Sequence, residues 1–60
     1  MFEVVIRPGV VYTSYQLNQI QLFVLSNGEL DVPYIVTQRG CYIATVTPLR
    51  RGIRVSYEGE

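Results

Sequence analysis

The chain has 60 residues, 48% of them hydrophobic, with five arginines, no lysine, five acidic residues and a net charge of zero. A chain this short forms one domain, residues 1–60, and its own core leaves it marginally stable. A single cysteine excludes an internal disulfide, and the lack of histidine excludes a Cys/His zinc site, so association is the remaining aid to stability. The balanced charge disfavours a dedicated nucleic-acid or membrane-surface binder.

No targeting or membrane-spanning segment is evident in the sequence. Glu3 occupies the place of a basic signal-peptide region, and no apolar run approaches the roughly 18 residues of a membrane span. A lone thiol fits a reducing compartment or a sealed particle. We therefore expect a protein that is neither secreted nor transmembrane and that lies in the cytoplasm or in a virion.

The first predicted elements are two strands. Phe2–Ile6 is rich in β-branched residues and ends at the turn signal of residues 7–9, and Val10–Tyr15 is again β-prone. Polar residues dilute the pattern between Tyr15 and Ile20, where a short helical turn is an alternative.

Asn27-Gly28, flanked by apolar runs, predicts a β-hairpin with a two-residue turn. In that register Leu25 faces Leu30, and residues opposite each other share a face of the sheet. One face then carries Phe23, Leu25, Leu30, Val32, Tyr34 and Val36, and the other carries Ile20, Leu22, Val24 and Ile35. Neither face is clearly the one exposed to water.

A second hairpin is predicted at residues 38–40, with a three-residue loop that pairs Val36 with Tyr42 and Tyr34 with Ala44. This register places Tyr42, Ala44 and Val46 on the core side. A last loop of four or five residues near Gly52 leads into residues 53–58, where Ile53, Val55 and Tyr57 alternate with polar residues and should point inward.

These elements predict an all-β fold, a five- to six-stranded antiparallel meander. It would be closed as a small barrel, SH3-like in size, or folded as a miniature β-sandwich. A barrel is favoured because closure removes exposed strand edges, which proteins commonly protect with lysine and this chain does not.

Catalytic and ligand signals are weak, so we predict no enzyme activity, no catalytic residues, no cofactor and no metal site. Histidine and lysine are absent, and Cys41 has no histidine to activate it, so a packing role is favoured. Glu29 and Asp31 lie on the same side of one predicted strand, but they lack the oxygen spacing of a calcium loop. Their expected role is to keep the turn soluble.

The predicted function rests on the second apolar face, which should meet a protein partner. The candidate contact residues are that face and an arginine cluster: Ile20, Leu22, Val24, Ile35, Ile43, Arg50, Arg51 and Arg54. We expect a non-enzymatic structural protein, a homo-oligomer or part of a larger assembly, with no small-molecule substrate. A virion component is the concrete form of this hypothesis, a capsid decoration, cement or tail-associated protein, although no individual residue indicates it.

Two alternatives stay open at the level of sequence. The first is a small regulatory binding module or inhibitor, which would be a monomer that binds one cellular protein. The second is a nucleic-acid-binding barrel that grips phosphates through Arg50, Arg51 and Arg54. Neighbouring acidic residues weaken that positive field, so nucleic acid is the less favoured partner.

Overall fold

A single antiparallel sheet with one helix across it makes up the computed structural model, which describes residues 1–58. The elements are β1 Phe2–Arg7, β2 Val10–Ser14, α1 Leu17–Asn27, β3 Tyr34–Gln38, β4 Cys41–Leu49 and β5 Gly52–Tyr57. The strand order is β2-β1-β3-β4-β5. The prediction of a five- to six-stranded antiparallel sheet is confirmed with five strands, but the sheet is not a meander, because β1 lies between β2 and β3. Within residues 1–58 the sheet is not closed into a barrel, and β2 and β5 form its two edges.

The predicted Asn27-Gly28 hairpin is wrong, because the segment before it is the helix α1. Gly28 has a φ of −84°, outside the left-handed region that a type I′ turn requires. β2 and β3 are both antiparallel to β1, so they run parallel to each other. A parallel connection must return along the length of the sheet, and a helix is the usual way to do this.

The length of α1 suits that return. Eleven residues of helix span about 16 Å at 1.5 Å per residue, and five residues of strand span about 17 Å. The helix has no charged residue in its first or last turn, and the side chain of its N-cap residue, Gln16, makes no capping hydrogen bond. An isolated helix of this length is marginal in water, so packing against the sheet stabilises it.

The core lies between α1 and one face of the sheet. Its fully buried members are Val4, Ile20, Val24, Val36, Ala44 and Val46, with Tyr34 only 8% exposed. Tyr12 of β2 stacks on Phe23 of α1, with ring centroids 4.3 Å apart and planes inclined by 4°. Ile53 and Val55 pack against this cluster, which confirms that they point inward. Tyr57, the third residue predicted to point inward, pairs with Ala44 but is 41% exposed and is not part of the core.

Two hairpin loops are shorter than predicted. Gln38 pairs with Cys41, so the β3–β4 loop has two residues, Arg39 and Gly40, with φ values of 53° and 77°. Leu49 pairs with Gly52, which leaves another two-residue loop in place of the expected four or five.

The register within the β3–β4 hairpin differs from the prediction as well. Val36 pairs with Ala44 and Tyr34 with Val46, while Thr37 pairs with Tyr42 across a register shift. The prediction of a core-facing Tyr42 is therefore wrong: the shift turns Tyr42 to the side of Thr37, and its side chain is exposed.

Backbone amides of the loop between α1 and β3 donate hydrogen bonds that hold the loop in place. The Gly28 amide donates to the Val24 carbonyl at 2.7 Å, and the Glu29 amide donates to the Tyr34 hydroxyl at 2.8 Å. The Asp31 amide donates to the carbonyl of Pro48 at 2.8 Å. A Cβ atom at residue 28 would lie 2.7 Å from both Cε2 of Tyr34 and the Val24 carbonyl oxygen, so only glycine fits there.

We expect Gly28→Ala to lower the free energy of unfolding by about 1–3 kcal/mol, the usual cost of overpacking. The backbone at residue 28 is one that alanine adopts readily, so without the clash the substitution would be mildly stabilising. Chemical denaturation measures the difference, with Ser26→Ala on the exposed part of α1 as the control. Equal or greater stability of Gly28→Ala would contradict the close approach of Tyr34.

Candidate interaction surface

The sheet face opposite α1, here called the open face, is the candidate functional surface. No other described element packs on it, because α1 covers the opposite face. The register places the following residues on the open face: Glu3 and Val5, Val11 and Thr13, Ile35 and Thr37, Tyr42, Thr45 and Thr47, and Arg54 and Ser56.

Three aliphatic residues lie side by side on the open face. Val11, Val5 and Ile35 are 52%, 49% and 57% exposed, and we call them the apolar stripe. Val5 is paired with Val11, and the β1–β3 register, continued by one residue beyond Val4 and Val36, places Ile35 beside Val5. The stripe therefore crosses three adjacent strands without a charged side chain in it.

A groove lies along the stripe between β1 and β3. Its volume is about 390 Å³, and it is open to solvent. The lining residues are Glu3, Val5, Pro33, Tyr34, Ile35 and Thr37. Glu3 is the one charged group among them, so the groove suits an apolar side chain better than an anionic ligand.

On β4 and β5 the open face is polar. Thr45 and Thr47 of β4 lie opposite Ser56 and Arg54 of β5. The hydroxyl groups of Tyr42 and Thr45 share a hydrogen bond of 2.7 Å. The open face is therefore mixed on β2, β1 and β3, where the apolar stripe lies beside Thr13, Glu3 and Thr37, and polar on β4 and β5.

Two of the predicted partner-binding residues are not at the surface. Ile20 and Val24 are fully buried between α1 and the sheet. Their prediction as surface residues is wrong, because it assumed that residues 20–25 form a strand. Helical spacing instead places Ile20 and Val24 on the same side of α1, one turn apart.

The remaining apolar candidates lie on different sides of the molecule. Ile35 belongs to the apolar stripe, and Ile43 is half-buried at the register shift of β4. Leu22 is 55% exposed on α1, which covers the opposite face of the sheet. With Leu25, 43% exposed, it forms a second and smaller apolar patch on the outer side of the helix.

The arginine cluster does not form one compact patch. Arg50 and Arg51 are exposed in the β4–β5 turn, while Arg54 lies on the open face opposite Thr47. Arg54 therefore belongs to the polar part of the open face, on β4 and β5, whereas Arg50 and Arg51 lie at the end of the sheet.

The residues considered for chemistry are also dispersed. Cys41 is exposed at the start of β4, so the expected packing role is wrong. It lies at the opposite end of that strand from Pro48, whose carbonyl accepts the hydrogen bond from the Asp31 amide. Glu29 and Asp31 lie in the loop before β3, and Asp31 has a φ of 64°, so their predicted placement on one strand is wrong. Over residues 1–58, no three side chains of His, Cys, Asp or Glu come together as a metal site would require.

Val11 and Pro33 belong to this surface, although the sequence did not single them out. Val11 reaches the open face through a register shift between Val5 and Arg7 on β1. A regular hairpin closed at Arg7 and Val10 would have paired Val5 with Tyr12 and given no apolar stripe. The sequence gives no signal for Pro33, because the predicted hairpin makes residues 29–33 part of a strand.

Comparison with models of protein families, with curated proteins and with solved structures found no match to this chain. No helix among the described residues has the length and apolar character needed to cross a membrane.

The neighbours Val4 and Val5 test which face of the sheet is covered. We expect Val4→Ala to cost about 2 kcal/mol of unfolding free energy, because it leaves a cavity in the core. Val5→Ala should cost less than about 1 kcal/mol, mainly through lower β propensity. The measurement is urea denaturation at a concentration where dilution no longer changes the midpoint. A larger loss for Val5→Ala would mean that the open face is the covered one.

Proposed function

We propose that this chain is a non-enzymatic structural protein that works through protein–protein contacts and associates with further copies of itself. The observation that carries the proposal is the apolar stripe, which crosses three adjacent strands and has no covering element among residues 1–58. Apolar surface in one contiguous stretch is characteristic of interaction sites.

The small core supports a second copy as the occupant of this face. One helix covers one face of the sheet, and among residues 1–58 the buried hydrophobic core has seven residues. A domain of about 60 residues is marginal on its own, and oligomerisation is a usual source of added stability. Each copy carries the same stripe, so two copies can bury both stripes in one symmetric contact.

The virion role stays a prediction, as one concrete form that such an assembly protein could take. A regulatory module that places its open face on a different protein would use the same stripe and the same groove, so it is the second candidate. The two candidates differ in the behaviour of the isolated chain, because only the first requires self-association.

Light scattering over a concentration series, together with thermal melting, tests the proposal. The wild type should form a defined oligomer, with a melting temperature that rises with concentration. We expect Ile35→Lys to weaken association at least about tenfold, because it places a charge in the apolar contact. Leu22→Lys on the outer side of α1 is the control, since both side chains are similarly exposed, 57% and 55%.

Three results would count against the proposal. A monomer at all concentrations would move the regulatory module to first place. Weaker association of Leu22→Lys alone would assign the contact to the outer side of α1. Equal effects of both variants would mean that the open face has no special part in association.

A further inference from the structure

The sheet has an edge that is unprotected over its whole length. β2 pairs with β1 on one side, and on its other side no strand of the described chain pairs with it. Residues Val10–Ser14 contain no charged residue and no proline, and the extra residue at the register shift lies on β1. Charges, prolines and bulges are the common means by which proteins protect an edge strand. β2 has none of them.

The other edge differs in this respect. β5 carries Arg54 in its interior, and Glu58 follows its end. An inserted charge on an edge strand opposes pairing with another strand. Of the two edge strands, β2 is therefore the one that can pair with a further strand without placing a charged residue in the contact.

We propose that β2 pairs with β2 of a second copy, antiparallel and centred on Tyr12. Two five-stranded sheets would then join into one continuous sheet of ten strands. This contact goes beyond the stacking of open faces, because it uses backbone groups at the edge, and it gives the chain a second interface for assembly.

The register follows from the alternation of side chains. Tyr12 points to the helix side of the sheet, whereas Val11 and Thr13 lie on the open face. If the two open faces are to lie on the same side of the joined sheet, odd-numbered residues must lie opposite odd-numbered residues. A shift of one residue would break this match, because it moves every side chain to the other face. Centring on Tyr12 is the one such register that pairs all five residues, with Val11 opposite the second copy's Thr13 and Tyr12 opposite its equivalent.

The chemistry at this contact suits a second copy. No two like charges meet, because β2 is uncharged. Tyr12 is half-buried and already stacked on Phe23, and the equivalent Tyr12 would cover its remaining exposed part. Aromatic pairs across strands are favourable. Both open faces would lie on the same side of the joined sheet, so the two apolar stripes would adjoin each other.

Two double variants that differ only at residue 11 test the inference. Thr13→Lys is common to both, and within the chain it faces Glu3. Val11→Glu with Thr13→Lys puts opposite charges across the proposed contact twice, by symmetry. Val11→Lys with Thr13→Lys puts like charges there. The dissociation constant, measured by analytical ultracentrifugation at low salt, should be about tenfold or more lower for the first variant.

Each outcome bears on the inference. Suppose that the wild type associates, but the two variants associate equally well or not at all. This result would overturn edge pairing and leave the open-face proposal standing. A wild type that is monomeric throughout would overturn both forms of self-association. As a control, the dissociation constants of the two variants should become similar at high salt, because salt screens the charges. The order stated above should hold at low salt.

Discussion

The position of β1 between β2 and β3 is the constraint on which the rest of the structure depends. Because β2 and β3 are both antiparallel to β1, the chain must return across the sheet before β3 begins. α1 makes that return, and in doing so it brings Ile20 and Val24 onto the sheet. The core, the close contact of Gly28 with Tyr34 and the covering of one sheet face all follow from this single crossover.

The same constraint leaves surfaces uncovered. One helix of eleven residues can cover only one face of a five-stranded sheet, and the apolar stripe lies on the other. The open sheet also retains two edges, of which β2 carries no charge and no proline. Residues 1–58 contain no further helix or strand that covers these surfaces. Contacts with other chains are the physical means that remain, and this is why we favour an assembly role.

The strands were predictable where the signals are local. The β1–β2 turn, the β3–β4 turn and the alternation of Ile53 and Val55 all depend on residues that are close in sequence. The helix was not predictable in this way, because its apolar residues lie on all sides, it contains no charge, and Asn27-Gly28 at its end is typical of a hairpin. What decides in favour of the helix is the long-range pairing of β1 with β3.

The candidate surface was predicted only in part for the same reason. Ile35 lies on a regular strand, so alternation was enough to place it away from the core. The predicted placement of Ile20 and Val24 on an exposed face depended on the Asn27-Gly28 hairpin. It is wrong because residues 17–27 form α1. The stripe itself requires the register shift in β1 that sets Val5 opposite Val11, and nothing in the local sequence marks a shift of one residue.

We propose that one face of the sheet is covered by α1 within the chain, whereas the open face is covered by another copy of the chain. Methyl resonances in solution NMR, followed through a dilution series, test it most directly. We expect the methyl shifts of Val5, Val11 and Ile35 to change with concentration, while those of the buried Val4, Val24 and Val36 stay constant. Concentration-independent shifts throughout, or changes confined to the buried valines, would contradict it.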